Sequence, residues 1–300
     1  MSTTQTLIKQ LQRGDEKALA RCITIVENEL EGYEEILTTL KFSSNIPVVG
    51  VTGPPGAGKS TLINSVIKKL TAENKSVGIL AIDPTSPFNY GSLLGDRLRM
   101  AEHFNNDKVF IRSIATRGSL GGLSAKTIEI VDVMRAFSFD YIFVETVGVG
   151  QSEVEVVGLA DTTVLVLVPE SGDDVQAIKS GIMEIADVFV VNKSDRDGAN
   201  TFIKNIIQLV HSKMASDWNI PVIKGIATVG EGVDELIEAI DKHNKVGVNT
   251  KRSYLLAEKA YRLIQNKKMK GVSKMDLQKQ IDGELKKKDF NLYNFVKSLK

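Results

Sequence analysis

The stretch Ile46–Leu70, IPVVGVTGPPGAGKSTLINSVIKKL, decides the fold. Its first seven residues, IPVVGVT, are a short β-branched run, the pattern of a buried strand. Its last eleven, STLINSVIKKL, space their apolar residues as a helix does. Between them, Gly53-Pro54-Pro55-Gly56-Ala57-Gly58-Lys59-Ser60 fits the pattern G-x-x-x-x-G-K-[ST]. Strand, loop and helix in that order are the context the pattern needs in order to mean a phosphate-binding loop. The glycines let backbone N–H groups curl around a β-phosphate, assisted by the N-terminus of the following helix. Lys59 is expected to reach the β/γ oxygens and Ser60 to ligate Mg²⁺.

Outward from this unit the same alternation continues. SVGILAI (76–82), KVFIRSI (108–114), YIFVETV (141–147), TTVLVLV (162–168), VFVVNK (188–193) and IPVIKGI (220–226) are further short apolar runs. Helical stretches are expected at 59–73, 124–137, 175–186, 199–216 and 232–243. Near-continuous apolar strands alternating with helices predict an α/β fold, a mostly parallel sheet covered on both faces. Residues 5–40 read as helix broken at Gly14, joined to the sheet by the polar SSNIP linker. Residues 251–300 return to helix, too thin in apolar residues for a domain of their own. They are expected to pack on the body or on a second copy of the chain.

Composition narrows the class. Three hundred residues suggest one large or two small domains. An apolar fraction of 42% supports a true core, and a net charge of +1 argues against a polyanion binder. The charge is uneven, since residues 251–300 hold 14 Lys/Arg against 5 Asp/Glu. This tail has no RNA-binding motif and few aromatics to stack bases, so it reads as a solvated helix face and no nucleic-acid partner is expected. The single cysteine, Cys22, excludes an internal disulfide and reads as a small buried apolar residue. No apolar run is long enough to span a membrane, and the start lacks a signal peptide. A cytoplasmic protein without membrane contact is expected. The histidines, His103, His211 and His243, are scattered without ligand spacing and read as surface or structural.

Other motifs sit at strand ends. Asn192-Lys193-Ser194-Asp195 fits N-K-x-D. There Asp195 can accept from guanine N1 and N2, donors that adenine does not present, while Asn192 braces the loop and Lys193 lies along the base. Ile226-Ala227-Thr228 resembles the backbone loop that receives guanine O6. Glu145-Thr146-Val147-Gly148 stands where D-x-x-G contacts Mg²⁺ and the γ-phosphate. The Gly148 N–H can sense that phosphate, and the longer Glu145 suits a water-mediated metal contact. Val149 occupies the place of the water-orienting glutamine, so slow unassisted hydrolysis is expected. Asp83, at the end of its strand, can hold the Mg²⁺ shell or the attacking water. Asp96, in a glycine- and arginine-bearing stretch (89–99), reads as a switch residue near Mg²⁺. The loop 169–179 reads as a second switch.

Taken together, GPPGAGKST, AIDPTSP, GDRLRM, RGSLGGLS, ETVGVGQSE, PESGDDVQAIKSGIMEIAD and NKSD resemble one family, the methylmalonyl-CoA mutase-associated GTPase chaperones of MeaB and ArgK type, also known as LAO/AO transport system kinases. The resemblance implies a doubly wound, SIMIBI-class P-loop GTPase (45–248) with an N-terminal helical extension (1–44) and a C-terminal dimerisation arm (249–300). It implies GTP/GDP and Mg²⁺ as ligands and an adenosylcobalamin-dependent acyl-CoA mutase as partner, which stimulates hydrolysis. On the family pattern Gly53 through Thr61 bind phosphate, and Ser60, Asp83, Asp96 and Glu145 serve the metal and switches. Asp173, Gln176 and Lys179 form a third switch facing the mutase, and Asn192, Lys193 and Asp195 read the base, with Ile226–Thr228 behind them.

Two alternatives carry different expectations. A kinase of a periplasmic amino-acid-binding protein would need a protein-acceptor site, and none is visible. A nickel metallochaperone GTPase would need His or Cys pairs, which one cysteine and three separate histidines do not supply.

Overall fold

The computed structural model describes residues 3–41, 46–83, 100–115, 125–146, 159–172, 186–211, 218–269, 271–286 and 289–299. Among the described residues seven strands form one sheet: β1 (Val48–Thr52), β2 (Val77–Asp83), β3 (Val109–Ala115), β4 (Tyr141–Glu145), β5 (Thr162–Leu167), β6 (Val188–Val191) and β7 (Val222–Lys224). Their order is β3-β2-β4-β1-β5-β6-β7, and every pairing is parallel. In a parallel sheet all C-terminal strand ends lie along one edge. The residues after β1, β4, β5, β6 and β7 are therefore neighbours despite their distance in sequence.

Each strand alternates its side chains between two apolar layers. On one face Val49, Val51, Phe143, Val164 and Val188 pack beneath α4 (Lys59–Ala72) and the first turns of a long helix beginning at Val233. On the other, Leu80, Ile82, Ile142 and Val144 pack under α5 (Ala125–Arg135). Leu165, Leu167, Phe189 and Val191 on that face lie under α6 (Ala199–His211). Burying each such side chain stabilises the fold by about 1.5–3 kcal/mol. Helices on both faces of a parallel sheet make the doubly wound α/β arrangement expected from the sequence.

The N-terminal segment forms three helices, α1 (Thr3–Gln12), α2 (Glu16–Glu27) and α3 (Tyr33–Thr39). Gly14 makes the first break, as expected. Asp15 then caps α2, its Oδ1 accepting from the Lys17 and Ala18 N–H groups at 2.8 and 3.1 Å. A second break falls at 28–32, where Glu29 and Gly32 take positive φ. Leu11, Leu19, Cys22, Ile23 and Ile36 are fully buried in the same cluster as β2, β4 and α5, so these helices complete one layer of the sheet. Burial pushes the Cys22 thiol up to about 12, which makes it an inert core residue.

The chain divides into two compact units, residues 1–259 and 260–300. Helix α7 (Val233–Met269) joins the stretches expected as helix at 232–243 and from 251 onward into one element. In the second unit α8 (Lys274–Glu284) and α9 (Leu292–Ser298) bury no residue. Among the described residues, no helix is long and apolar enough to cross a membrane.

The N-terminal half of α7 is pinned to the sheet edge opposite the site loops. Tyr141 donates its hydroxyl to Asp241 Oδ1 at 2.8 Å. His243 Nδ1 lies 2.8 Å from Thr162 Oγ1, and its Nε2 lies 3.3 Å from Asp187 Oδ1. Asp187 also accepts the Thr163 N–H at 2.9 Å, and Trp218 donates Nε1 to the Asp187 carbonyl at 2.8 Å. Hydroxyl, imidazole and carboxylate stand in the order used by nucleophilic sites. Thr162 is completely buried, however, so no substrate reaches it and the cluster is structural. His103 is buried as well, and among the described residues neither histidine belongs to a metal cluster.

Candidate nucleotide site

The loop Gly53–Gly58 leaves the C-terminal end of β1, between β4 and β5, and enters α4. Two of its glycines are fixed by space as well as by conformation. Gly53 has φ +138, and a Cβ there would lie 2.1 Å from the Val166 carbonyl oxygen. Gly58 has φ +87, and a Cβ would lie 2.3 Å from Asn192 Nδ2. An L side chain at either position would collide with the strand or loop beside it.

Lys59 is buried, and its ammonium donates to the carbonyls of Gly53 and Pro54 at 2.8 and 3.1 Å. This folds the side chain back across the concave side of the loop, where the β/γ oxygens of a nucleotide would lie. Ser60, also buried, donates its hydroxyl to Glu145 Oε1 at 2.6 Å. Glu145 is the last residue of β4, and Thr146 behind it binds β1 through the Val51 carbonyl, at 3.1 Å, and Thr52 Oγ1. The sequence places Ser60 and Glu145 around one Mg²⁺. The structure brings them into direct contact, so the glutamate's extra methylene reaches the serine with no intervening water. Two buried oxygen donors this close are the hard ligands a magnesium ion takes, alongside nucleotide phosphates. Asp83 ends β2 on the same sheet edge, although its side chain lies outside the described residues. Asp96, Gly148, Asp173, Gln176 and Lys179 also lie outside them.

Asn192 joins the phosphate loop to the base loops. Its Nδ2 donates to the Ala57 carbonyl at 2.8 Å, and its Oδ1 accepts the Ala227 N–H at 2.9 Å. One buried amide thus uses its donor on one loop and its acceptor on another, the geometry of a brace. Lys193 has φ +55, and its ammonium donates to the Gly56 carbonyl at 2.8 Å. Ser194 fastens the turn to β7 through the Gly225 carbonyl at 2.8 Å. Asp195 is exposed, with no hydrogen bond or ion pair to the described residues.

In the loop after β7, the Ile226 N–H donates to the Glu231 carbonyl at 3.1 Å and the Ala227 N–H to Asn192. Ser65 of α4 holds the Ala227 carbonyl at 2.5 Å. Of the three N–H groups expected near guanine O6, those of Ile226 and Ala227 have internal partners. That of Thr228, an exposed residue, bonds to none of the described residues. The sequence points to the triplet without distinguishing its members.

A parallel α/β sheet with this phosphate loop and these base-side loops defines the class: a P-loop GTPase. The chain belongs to the family described as methylmalonyl-CoA mutase-associated GTPase MeaB, whose profile matches residues 19–281. A Pyrococcus horikoshii protein, provisionally named as a GTPase, is 50% identical over 250 residues, covering 82% of this chain and 79% of that one. The mouse mitochondrial methylmalonic aciduria type A homolog is 37% identical, over 75% of this chain and 59% of that protein. A crystal structure of an LAO/AO transport system kinase superposes with a TM-score of 0.70 at 26% identity, covering 90% of this chain and 84% of that one.

Proposed function

We propose that this GTPase is a chaperone of an adenosylcobalamin-dependent acyl-CoA mutase, in which GTP hydrolysis times assembly or rescue of the client. Membership of a mutase-associated family across residues 19–281 carries this reading and favours methylmalonyl-CoA mutase as the client. In the site, the N–H groups of the non-proline residues of Gly53–Thr61 cradle the phosphates, and Lys59 moves from the loop carbonyls onto the β/γ oxygens. Ser60 and Glu145, with Asp83 and Asp96, would hold Mg²⁺, which when bound offsets the charge of the phosphate oxygens. Asp195 reads guanine N1 and N2, and the Thr228 N–H meets O6. Asn192 keeps the phosphate and base loops in register. The Gly148 N–H senses the γ-phosphate, and Asp173, Gln176 and Lys179 report nucleotide state to the mutase. The helices of residues 249–300 join two copies of the chain.

Hydrolysis is slow alone, with Val149 in place of a water-orienting glutamine, and the mutase stimulates it. Partner-supplied groups raise GTPase rates by about 10³–10⁵-fold in other systems, so a rise of at least about tenfold is expected here. The test is GTP turnover with and without purified mutase, paired with co-elution in GDP and in a non-hydrolysable GTP analogue. Unchanged turnover and no co-elution in either state would contradict the chaperone reading while leaving the GTPase in place.

A further inference from the structure

Asp195 is followed directly by Arg196 and preceded, two residues back, by Lys193. A carboxylate flanked by two cations can pair with one of them and be lost to an incoming base. The structure turns both away. Lys193 is held on the Gly56 carbonyl at 2.8 Å. The Arg196 guanidinium pairs through Nη1 with Oε1 of Glu170, in the short 3₁₀ turn Pro169–Gly172 that follows β5. The backbone holds Arg196 in the same turn as Asp195, its N–H donating to the Lys193 carbonyl at 3.1 Å. Asp195 itself has no partner among the described residues.

We propose that Glu170 is a positioning residue for base recognition: it draws the Arg196 guanidinium away from Asp195 and leaves that carboxylate for the N1 and N2 donors of guanine. Glu170 is a carboxylate at neutral pH like any glutamate, and the hydrogen bond from Arg196 holds its carboxyl further below the usual range. The base loop and the loop after β5 are thereby tied at a point outside the phosphate-loop motif and N-K-x-D. The inference rests on the reading of Asp195 as the guanine-binding group.

The test is a double-variant cycle on the full-length protein, with GDP affinity measured by calorimetry in the presence of Mg²⁺. Glu170→Ala frees Arg196 to close on Asp195, and GDP binding is expected to weaken about three- to fivefold, the upper end of the scale of an exposed ion pair. Glu170→Ala/Arg196→Ala removes the competitor, and affinity is expected to return to within about twofold of the unsubstituted protein. A purely structural ion pair predicts no such recovery, since both variants lack it equally. Glu170→Ala binding GDP normally, or a double variant as weak as Glu170→Ala, would overturn the inference. Absence of GDP binding by the unsubstituted protein would overturn the base reading with it, whereas a flat cycle on a protein that binds GDP overturns the inference alone.

Discussion

Lys59→Ala is expected to lower kcat/KM for GTP by at least about 100-fold while the circular dichroism of the fold is retained. Removing one preorganised donor from a developing oxyanion costs about 10²–10³ in rate, and phosphoryl transfer relies almost wholly on positioning and charge stabilisation. The folded state has less at stake. The Lys59 ammonium, although buried, bonds two carbonyls of its own loop. Burial of the α4 core face through Leu62, Ile63, Val66, Ile67 and Leu70 does not depend on Lys59. Steady-state turnover with circular dichroism on the same preparation checks this. Normal hydrolysis of GTP by the variant would show that the phosphate loop does not bind the reacting phosphates.

Asp195→Asn is expected to weaken GDP binding by about 100-fold or more and to move preference to xanthosine nucleotides. A site built around a hydrogen bond rejects a ligand that cannot complete it by large factors, because the polar groups left unpaired lose their full solvation. Guanine offers N–H donors at N1 and N2 to a carboxylate. Xanthine replaces the N2 amine with a carbonyl oxygen, which an asparagine amide can meet. Asp195 is exposed and draws on no other described residue, so the substitution removes a ligand contact without opening a hole in the core. Competition of GDP and XDP against a fluorescent guanine nucleotide measures the change. An unaltered GDP preference would remove Asp195 from the base site.

Much of the fold is legible in the sequence because its signals are local. All seven strands begin within two residues of the β-branched runs that announce them, since buried parallel strands must be apolar on both faces. The seventh, expected over 220–226, shrinks to Val222–Lys224, bounded by Pro221 and by the turn that starts at Gly225. The brace formed by Asn192 is expected from its motif, although its second arm to Ala227 is not. Contacts between residues distant in sequence leave no mark. Ser60 and Glu145 are 85 positions apart, and Glu170 and Arg196 meet only because β5 and β6 are adjacent. Thr162, Asp187 and His243 each look unremarkable alone and become a cluster only when two strand starts and a helix converge. Helix is expected both at 232–243 and from 251 onward, but their continuity as one element, α7, is not, because residues 244–250 (NKVGVNT) carry Gly247 and no apolar stripe that joins the two stretches. Apolar residues of the later turns, Leu256, Tyr261 and Ile264 among them, are exposed.

Calorimetric titration of the unsubstituted protein with GDP, ADP and XDP in the presence of Mg²⁺ tests the guanine site most directly. Saturable one-site binding of GDP, with ADP and XDP at least about 100-fold weaker, is the predicted result. Well-folded protein that gives no heat with GDP, or binds ADP as tightly, would contradict it.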